Sequence, residues 1–477
     1  METRAAQRSE RMYVAGEWLD GDDRLTVTDL ADGGTFAEVT AAKPEQARAA
    51  LAAAQDAKEA MRETTIVERA NWMLEIADGI EARKEELAEV IVREAGKPIS
   101  SARGEVDSAA TRFRRAAEEV RHMKGEYREG TTAGHEGWEA IVKHEPIGAV
   151  LCITPYNYPL ATTALQVAPA LAAGNAIILK PASKTPISAA ILADVISELD
   201  LPHEGAFNFV PGSASDIGDV LSGDDRINAI AMTGSSGAGK HVAKESGMVN
   251  LHMELGGNAP AVVFEDADLD AAASAATKGS LKYAGQRCSA VSRVLAHESV
   301  HDDVVDRIEA QMDDWAIGDL FDEDTALGPL ISEDQAEWVQ ELVDDAVDKG
   351  ATLVRGGSHD GTFFEPTLLA DVPHDARIVH EEQFGPVAAV TSFADDAEAL
   401  ELANGGDLAL DAAVFTADHD RAMEMANAID AGGVRINGAP SHGLGDIPFG
   451  GNKDSGIGRE GIDASIHAFV RKKSIIL

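Results

Sequence analysis

Glu254-Leu255-Gly256-Gly257-Asn258 opens, and Gly285-Gln286-Arg287-Cys288-Ser289 closes, the stretch around which this chain is organised. Each end sets a reactive group beside glycine, the residue that lets backbone approach a ligand closely. Cysteine is the strongest side-chain nucleophile near neutral pH. A carboxylate can activate water against the thioester that a cysteine forms. The other cysteine, Cys152, lies in the apolar run Ala149-Val150-Leu151-Cys152-Ile153, where a thiol behaves as a small inert hydrophobe. Cys288 is therefore the candidate nucleophile and Glu254 the candidate base.

Strand and helix patterns alternate on both sides of Glu254. Before it, apolar runs at 150–153, 176–179, 206–210 and 228–232 are separated by helical patterns such as 187–199. After it come a run at 261–264, a helix around 268–280, and strands at 291–296, 387–392 and 413–415. This alternation predicts an α/β fold with parallel sheets. Two α/β domains are expected: one from 1–124 with 147–253, the other from 254–450 and carrying Cys288. The site then falls in the cleft between them, where ligand pockets tend to form.

Upstream, residues 1–12 read as a frayed charged arm, and a strand and turn follow from Tyr13. Pro44 opens an alanine-rich helix at the position proline tolerates. Ile66, Ala70, Met73, Leu74, Ala77 and Ile80 recur at helical spacing, as do Leu87, Val90 and Ile91, until Gly96 and Pro98 end the run. Residues 125–146 and the C-terminal 464–477 read as strands. An isolated hairpin is marginal and an open apolar edge aggregates, so these strands need a partner.

At 477 residues the chain exceeds a single core, and 44% hydrophobic with 26% charged residues marks it as globular. Met1-Glu2-Thr3-Arg4 begins no apolar signal run. The most apolar stretch, 161–179, is interrupted by Gln166, Pro169, Gly174 and Asn175, against a membrane span. Two cysteines fit a reducing cytoplasm and no disulfide framework. Lys+Arg 41 against Asp+Glu 82 leaves a net charge of −41, spread along the chain. Such a surface repels nucleic acid and anionic lipid, so neither is expected as a partner. It also repels itself, which points to a high-salt cytoplasm where screening is strong.

Thr233-Gly234-Ser235-Ser236-Gly237-Ala238-Gly239-Lys240-His241 matches G-x-x-x-x-G-K but places His241 where a P-loop needs Ser or Thr for magnesium. It does not fit G-x-G-x-x-G either. What remains is a strand, a glycine turn and a helix N-terminus whose amides attract phosphate, with Lys240 as a solvated helix residue.

Glu254-Leu255-Gly256-Gly257, Gly285-Gln286-Arg287-Cys288, Pro155-Tyr156-Asn157-Tyr158-Pro159 and Glu381-Glu382-Gln383-Phe384-Gly385-Pro386 together resemble the signature blocks of the NAD(P)-dependent aldehyde dehydrogenase superfamily. They stand in that family's order and spacing, and the similarity runs from about Tyr13 to the C-terminus. The resemblance implies an aldehyde dehydrogenase-like fold: two α/β domains with a cleft, plus a small β oligomerisation domain. That last domain would be 125–146 with 464–477, extending a neighbouring subunit's sheet in a homodimer or homotetramer.

The implied reaction turns an aldehyde into a carboxylic acid with NAD(P)+. Cys288 forms a thiohemiacetal whose oxyanion is held by the Asn157 side chain and the Cys288 N–H. Hydride departs, and water activated by Glu254 hydrolyses the thioacyl enzyme. Relatives that transfer the acyl group to coenzyme A typically lack this glutamate, so a free acid is expected. No metal is called for.

By the same resemblance the dinucleotide is bound by Thr154, Pro155, Lys180, Ser183, Gly212, Thr233, Gly234, Ser235, Leu255, Glu382 and Phe384. Gly234 and Ser235 take the pyrophosphate, Lys180 the ribose hydroxyls, Glu382 the nicotinamide ribose, and Phe384 packs near the ring. Lys180 also serves catalysis through the cofactor. Glu381 points the other way, as neighbours in extended chain do. Members preferring NAD often carry Glu where Ser183 stands. A neutral serine removes its repulsion of a 2′-phosphate, so NADP is the expected cofactor and NAD the alternative.

The Gly-Gln-Arg-Cys variant looks like the non-phosphorylating glyceraldehyde-3-phosphate and semialdehyde branches, and the acidic balance like their halophilic archaeal type. Arg287 either depresses the thiol pKa or binds an anionic tail. Tyr158 and His442 are the other substrate candidates, although His442 also reads as a plain loop residue. Glu105-Val106-Asp107-Ser108 lacks the arginine expected of glyceraldehyde-phosphate enzymes, with Arg112, Arg114 and Arg115 as substitutes or a solvated face. The loop 440–446 is a candidate substrate-selecting segment, and the sequence names no particular aldehyde. Two other readings stand beside this one: a P-loop phosphotransferase, disfavoured by His241, and a catalytically silent relative, disfavoured by intact Cys288, Glu254 and Asn157. The charge balance makes a direct prediction. Thermal unfolding in molar salt should occur at a higher temperature than in dilute buffer, and an unchanged midpoint would remove the high-salt reading.

Overall fold

The computed structural model describes residues 8–477 except His442 and Leu444. An eight-stranded sheet has the order Gly456–Ile457, Asn250–Glu254, Ala229–Thr233, Ala149–Ile153, Ala176–Lys180, Phe207–Phe209, Met12–Val14, Glu17–Leu19. Its inner strands from Asn250–Glu254 to Phe207–Phe209 are parallel, and the flanking strands are antiparallel. Ala176–Lys180 and Phe207–Phe209 are buried at every residue, as parallel strands covered on both faces must be. The strand order reverses at Ala149–Ile153. The chain winds outward from it to Ala176–Lys180 and returns on its other side at Ala229–Thr233. Open α/β sheets bind ligands beyond the carboxyl ends of strands at such a reversal.

The second sheet has seven strands: Thr352–Arg355, Thr367–Ala370, Val387–Phe393, Val291–His297, Ala259–Val263, Asp411–Phe415 and Gly433–Ile436. All pairings are parallel except that of Thr352–Arg355 at one edge. A third, antiparallel sheet joins Val470–Ile476, Glu139–Pro146 and Glu126–Glu129. Tyr127, Trp138, Ile141 and Ile476 are exposed on or beside it.

Local chemistry sets the helix ends. Pro44–Glu63 begins with its proline in the first turn. Ile66–Ala82 starts at a reciprocal capping box, where the Thr65 hydroxyl accepts from the Glu68 N–H and the Glu68 carboxylate accepts from the Thr65 N–H. Lys84–Ala95 ends at Gly96 with φ +71°, a left-handed cap that glycine adopts without strain.

Two sequence expectations fail. Arg8–Glu10 is no frayed arm but a strand paired with Thr35–Thr40, and Met12 belongs to the main core. Nothing local signals that pairing, because the partner lies far along the chain. Residues 464–468 are no strand either: Ile462–Ala468 is a helix that buries Ile462 and Ile466, one turn apart, in the core of the first sheet. Gly456–Ile457 returns to the first sheet beside Asn250–Glu254. No described helix is long and apolar enough to cross a membrane.

Candidate active site

The carboxyl ends of the first sheet face loops of the second sheet across a cavity of about 1060 Å³. Ile153 runs into Thr154-Pro155-Tyr156-Asn157, Thr233 runs into Gly234-Ser235, and Glu254 is itself a terminal strand residue. Thr233 and Glu254 pair in register, and the Gly234 N–H donates to the Glu254 carbonyl at 3.1 Å. Across from them stand Cys288, Glu382 and Phe384.

The Cys288 loop is gripped from several sides. Tyr283 and Ala284 adopt φ +57° and +51°, uncommon for non-glycine residues and held only where surroundings enforce it. Gly285 follows at φ +70°, and a Cβ there would stand 1.9 Å from the Gly385 carbonyl oxygen. The buried Gln286 side chain donates to Pro329 O at 3.2 Å and accepts from Ile331 N at 2.9 Å. Its main-chain carbonyl accepts from Asn157 Nδ2 at 2.9 Å. The glycines beside the reactive pair also serve protein neighbours. A Cβ on Gly257 would meet Cys288 O at 2.1 Å, and one on Gly256 would meet Glu382 Oε2 at 2.7 Å. The approach expected toward a ligand is here an approach of one loop to another.

The Cys288 thiol and the Glu254 carboxyl line the same cavity close enough for each to shift the other's titration, and Glu254 Oε1 has no partner. Burial, with Glu254, Asp411 and Glu382 nearby, pushes the thiol well above its ordinary value. Burial and the adjacent Glu460 push the Glu254 carboxyl up as well. The closed pair thus favours protonated forms. Asn157 is buried, and one amide hydrogen on Gln286 leaves it a second N–H at the cavity wall. Cys152 is fully buried in its strand, and burial raises its thiol too.

Along the other half of the cavity, Ser235 caps the helix Ser236–Glu245, its hydroxyl accepting from Ala238 N at 3.3 Å. The turn Gly234-Ser235 lines the cavity at that helix N-terminus, where amides and dipole favour an anion. The neighbouring Ser236 hydroxyl is buried without a partner. Leu255 packs under the same helix, so that a Cβ on Gly239 would stand 2.5 Å from it. Thr154, Pro155 and Thr233 line the cavity from the strand ends. The Thr233 hydroxyl accepts from Gln166 Nε2 at 3.0 Å and donates to Glu460 at 3.3 Å. Phe384, at φ +49°, meets the Tyr156 ring edge-to-face at 5.9 Å. Glu382 Oε1 accepts from Gly257 N at 2.9 Å, and burial raises its carboxyl to about 7. Glu381 turns away to Arg377 at 2.8 Å.

Lys180, Ser183 and Gly212 gather at the adjoining strand ends rather than in the cavity lining. The Ser183 hydroxyl donates to Gly212 O at 3.2 Å. Lys180 is buried with a carbonyl 3.5 Å away, and burial lowers its ammonium to about 8. A buried cation so poorly matched, an orphaned hydroxyl at Ser236 and a glycine turn on a helix N-terminus fit a dinucleotide. Lys240 instead pairs with Asp454, and His241 with Asp219 at 2.7 Å, so the triphosphate reading finds no support.

On the substrate side, Arg287 donates to Gly279 O at 2.7 Å and Arg112 to Ala161 O at 2.5 Å. The Nε of each is enclosed without a partner. Arg114 is engaged by Asp78 and Glu81, and Arg115 reaches Asp446 at 3.1 Å. Pro440, Ser441 and Gly443 line the cavity, while His442 lies outside the described residues. Tyr158 lines it too, and burial raises its phenol to about 12. The sequence reading missed Glu460, raised by burial to about 7, together with Lys97 and Glu105. None of the three stands in a pattern of residues that marks chemistry. Among the described residues no His/Cys/Asp/Glu cluster could hold a metal ion.

The model of the aldehyde dehydrogenase family matches residues 18–475. The 3-sulfolactaldehyde dehydrogenase of Priestia megaterium is 35% identical over 468 residues, 98% of this chain and 97% of that one. The crystal structure of an NADP-dependent glyceraldehyde-3-phosphate dehydrogenase from Bacillus halodurans C-125, complexed with NADP, superposes with a TM-score of 0.96 at 35% identity, covering 99% of both chains. Aldehyde dehydrogenase 21 from Physcomitrella patens, in complex with its reaction product succinate, gives 0.95 at 35% identity over 99% of both.

The Cys288–Glu254 contact makes a testable prediction. With Cys152 buried, alkylation by iodoacetamide reports on Cys288. Removing the negative neighbour in Glu254→Gln should move the pH midpoint of alkylation downward. A midpoint unchanged or higher would show that the carboxylate does not act on the thiol.

Proposed function

The chain belongs to the aldehyde dehydrogenase family, and from that premise we propose how its own residues oxidise an aldehyde to a carboxylic acid. Cys288 is the nucleophile: its proton passes to Glu254 as sulfur bonds to the aldehyde carbon. The resulting oxyanion is held by the second N–H of Asn157 and the Cys288 main-chain N–H. One such donor is worth about 3 kcal/mol of barrier. A dinucleotide held by the residues named below would supply the acceptor for the hydride of that carbon. Glu254 releases the thiol's proton to solvent, then takes one from the water that attacks the thioester and passes it to the departing sulfur, which releases the acid and restores the thiol. The observation that carries this reading is the convergence of Cys288, Glu254 and Asn157 on one cavity, with Asn157 bonded to the Cys288 loop at Gln286 O.

For the dinucleotide, Gly234 and Ser235 would hold the pyrophosphate, with Thr154, Pro155, Thr233 and Leu255 along it. Lys180, Ser183 and Gly212 would take the adenosine side, and Glu382 and Phe384 the nicotinamide side. NADP is the preferred form: Ser183 offers a neutral hydroxyl where a carboxylate would repel a 2′-phosphate, and the Bacillus halodurans relative is complexed with NADP. The substrate carries an anionic tail. Arg112 and Arg287 each keep an enclosed Nε without a partner, and relatives act on 3-sulfolactaldehyde or yield succinate. Tyr158 would pack beside that tail.

The three-stranded sheet is read as the assembly surface of a homodimer or homotetramer, since its apolar side chains are left exposed. The acid excess and two free thiols suit a cytoplasm of high salt.

With a panel of aldehydes and either dinucleotide, absorbance at 340 nm should rise fastest with NADP and an anionic-tailed aldehyde, and not at all in Cys288→Ala. Turnover by Cys288→Ala would remove the assignment. Light scattering should return a mass of two or four chains, and a monomer would remove the assembly reading.

A further inference from the structure

Lys97 and Glu105 form a buried ion pair at the cavity wall that the reaction as described leaves unused. Lys97 follows the left-handed Gly96, and Glu105 lies on the helix Ile99–His122. Glu105 is fully engaged. One carboxylate oxygen takes the Lys97 ammonium, and the other accepts from Leu160 N and Ala161 N, each at 3.1 Å. Those amides directly follow the turn that carries Asn157. The ammonium also lies 3.5 Å from the centroid of the Tyr158 ring and 4.3 Å from that of Tyr283. A cation between two ring faces is attracted to both. Tyr158 adjoins Asn157, while Tyr283 begins the left-handed run that leads to Cys288. The Tyr283 hydroxyl ties back to Ala95 O at 2.7 Å, next to Gly96 and Lys97.

We propose that Lys97 is a positioning residue for aldehyde oxidation, holding the Asn157 turn and the Cys288 loop in register by gripping Tyr158 and Tyr283 at once. The proposal rests on the reading of Asn157 as an oxyanion donor and Cys288 as the nucleophile. The direct link between the loops is the hydrogen bond from Asn157 to Gln286 O. That bond spends one of the two amide hydrogens, and the aim of the other depends on where the turn sits. Lys97 sets that position from the far side of the turn. An apolar side chain would fill the space without an attraction to either ring or to Glu105.

The test is a double-mutant cycle between Lys97→Met and Asn157→Ala, read as kcat, KM for the aldehyde, and the rate of Cys288 alkylation. Lys97→Met should lower kcat by about 30-fold or more, with KM and alkylation within about threefold of the parent, because alkylation needs no oxyanion donor. Added to Asn157→Ala, it should cost no more than about a further threefold, since the group it positions is already gone. Should Lys97→Met not fold, Lys97→Met with Glu105→Gln removes both charges together and carries the same cycle. Independent, multiplying effects would overturn the proposal, as would a raised KM with kcat intact, which would make Lys97 a substrate ligand. Full turnover in Asn157→Ala would overturn the oxyanion assignment and this proposal with it. A crippled Asn157→Ala beside an undamaged Lys97→Met would overturn the proposal alone.

Discussion

At Gly257 the backbone passes so close to Cys288 that a Cβ would stand 2.1 Å from its carbonyl oxygen, and one on Gly256 would stand 2.7 Å from Glu382 Oε2. These contacts are where the chain leaves the first sheet and touches the second. Because neither glycine carries a side chain, Glu254 at the end of its strand can meet the thiol of a loop from the other sheet. Gln286, Asn157 and Gly285 then hold that loop from the remaining sides. Bulk at either glycine would push the carboxylate and the thiol apart. The placing of this candidate pair is thus a product of backbone packing as much as of side-chain identity.

The second constraint is dielectric. Glu254, Glu382, Asp411 and Glu460 are all raised by burial around one cleft, and Lys97 and Lys180 are lowered by it. Ionisable groups so displaced mark functional sites, because low dielectric strengthens every interaction with charge that forms there. It also makes each buried pair consequential: breaking one such as Lys97–Glu105 costs about 3–5 kcal/mol by leaving a charge uncompensated. The surface follows another rule. Its ion pairs, such as Arg114 with Asp78 and Glu81, are solvated and contribute little singly. The acid excess there governs solubility and salt response rather than the fold.

Much of the architecture was legible because it is local. Apolar alternation marked strands and helices on both sides of Glu254, and Pro44 and Gly96 marked helix ends through the φ values they favour. The near-miss P-loop was readable as a glycine turn without a magnesium ligand, and Lys240 does turn to Asp454 instead. Arg8–Glu10 and Ile462–Ala468 were misread for one shared reason. A three-residue strand exists only through its partner, and a short apolar run with turn-spaced isoleucines becomes helix or strand according to what it packs on.

The amino-acid order alone determined the chemistry on offer: one thiol outside a core strand, a glutamate before paired glycines, an amide between prolines, and a glycine turn opening a helix. Only the tertiary structure decided which of these meet. Asn157 reaching Gln286, Thr233 reaching Glu460 and Lys97 lying between Tyr158 and Tyr283 are contacts across long separations in the chain. No local pattern encodes such a contact, because its energy exists only once both sheets have closed on the same cavity and excluded water from it.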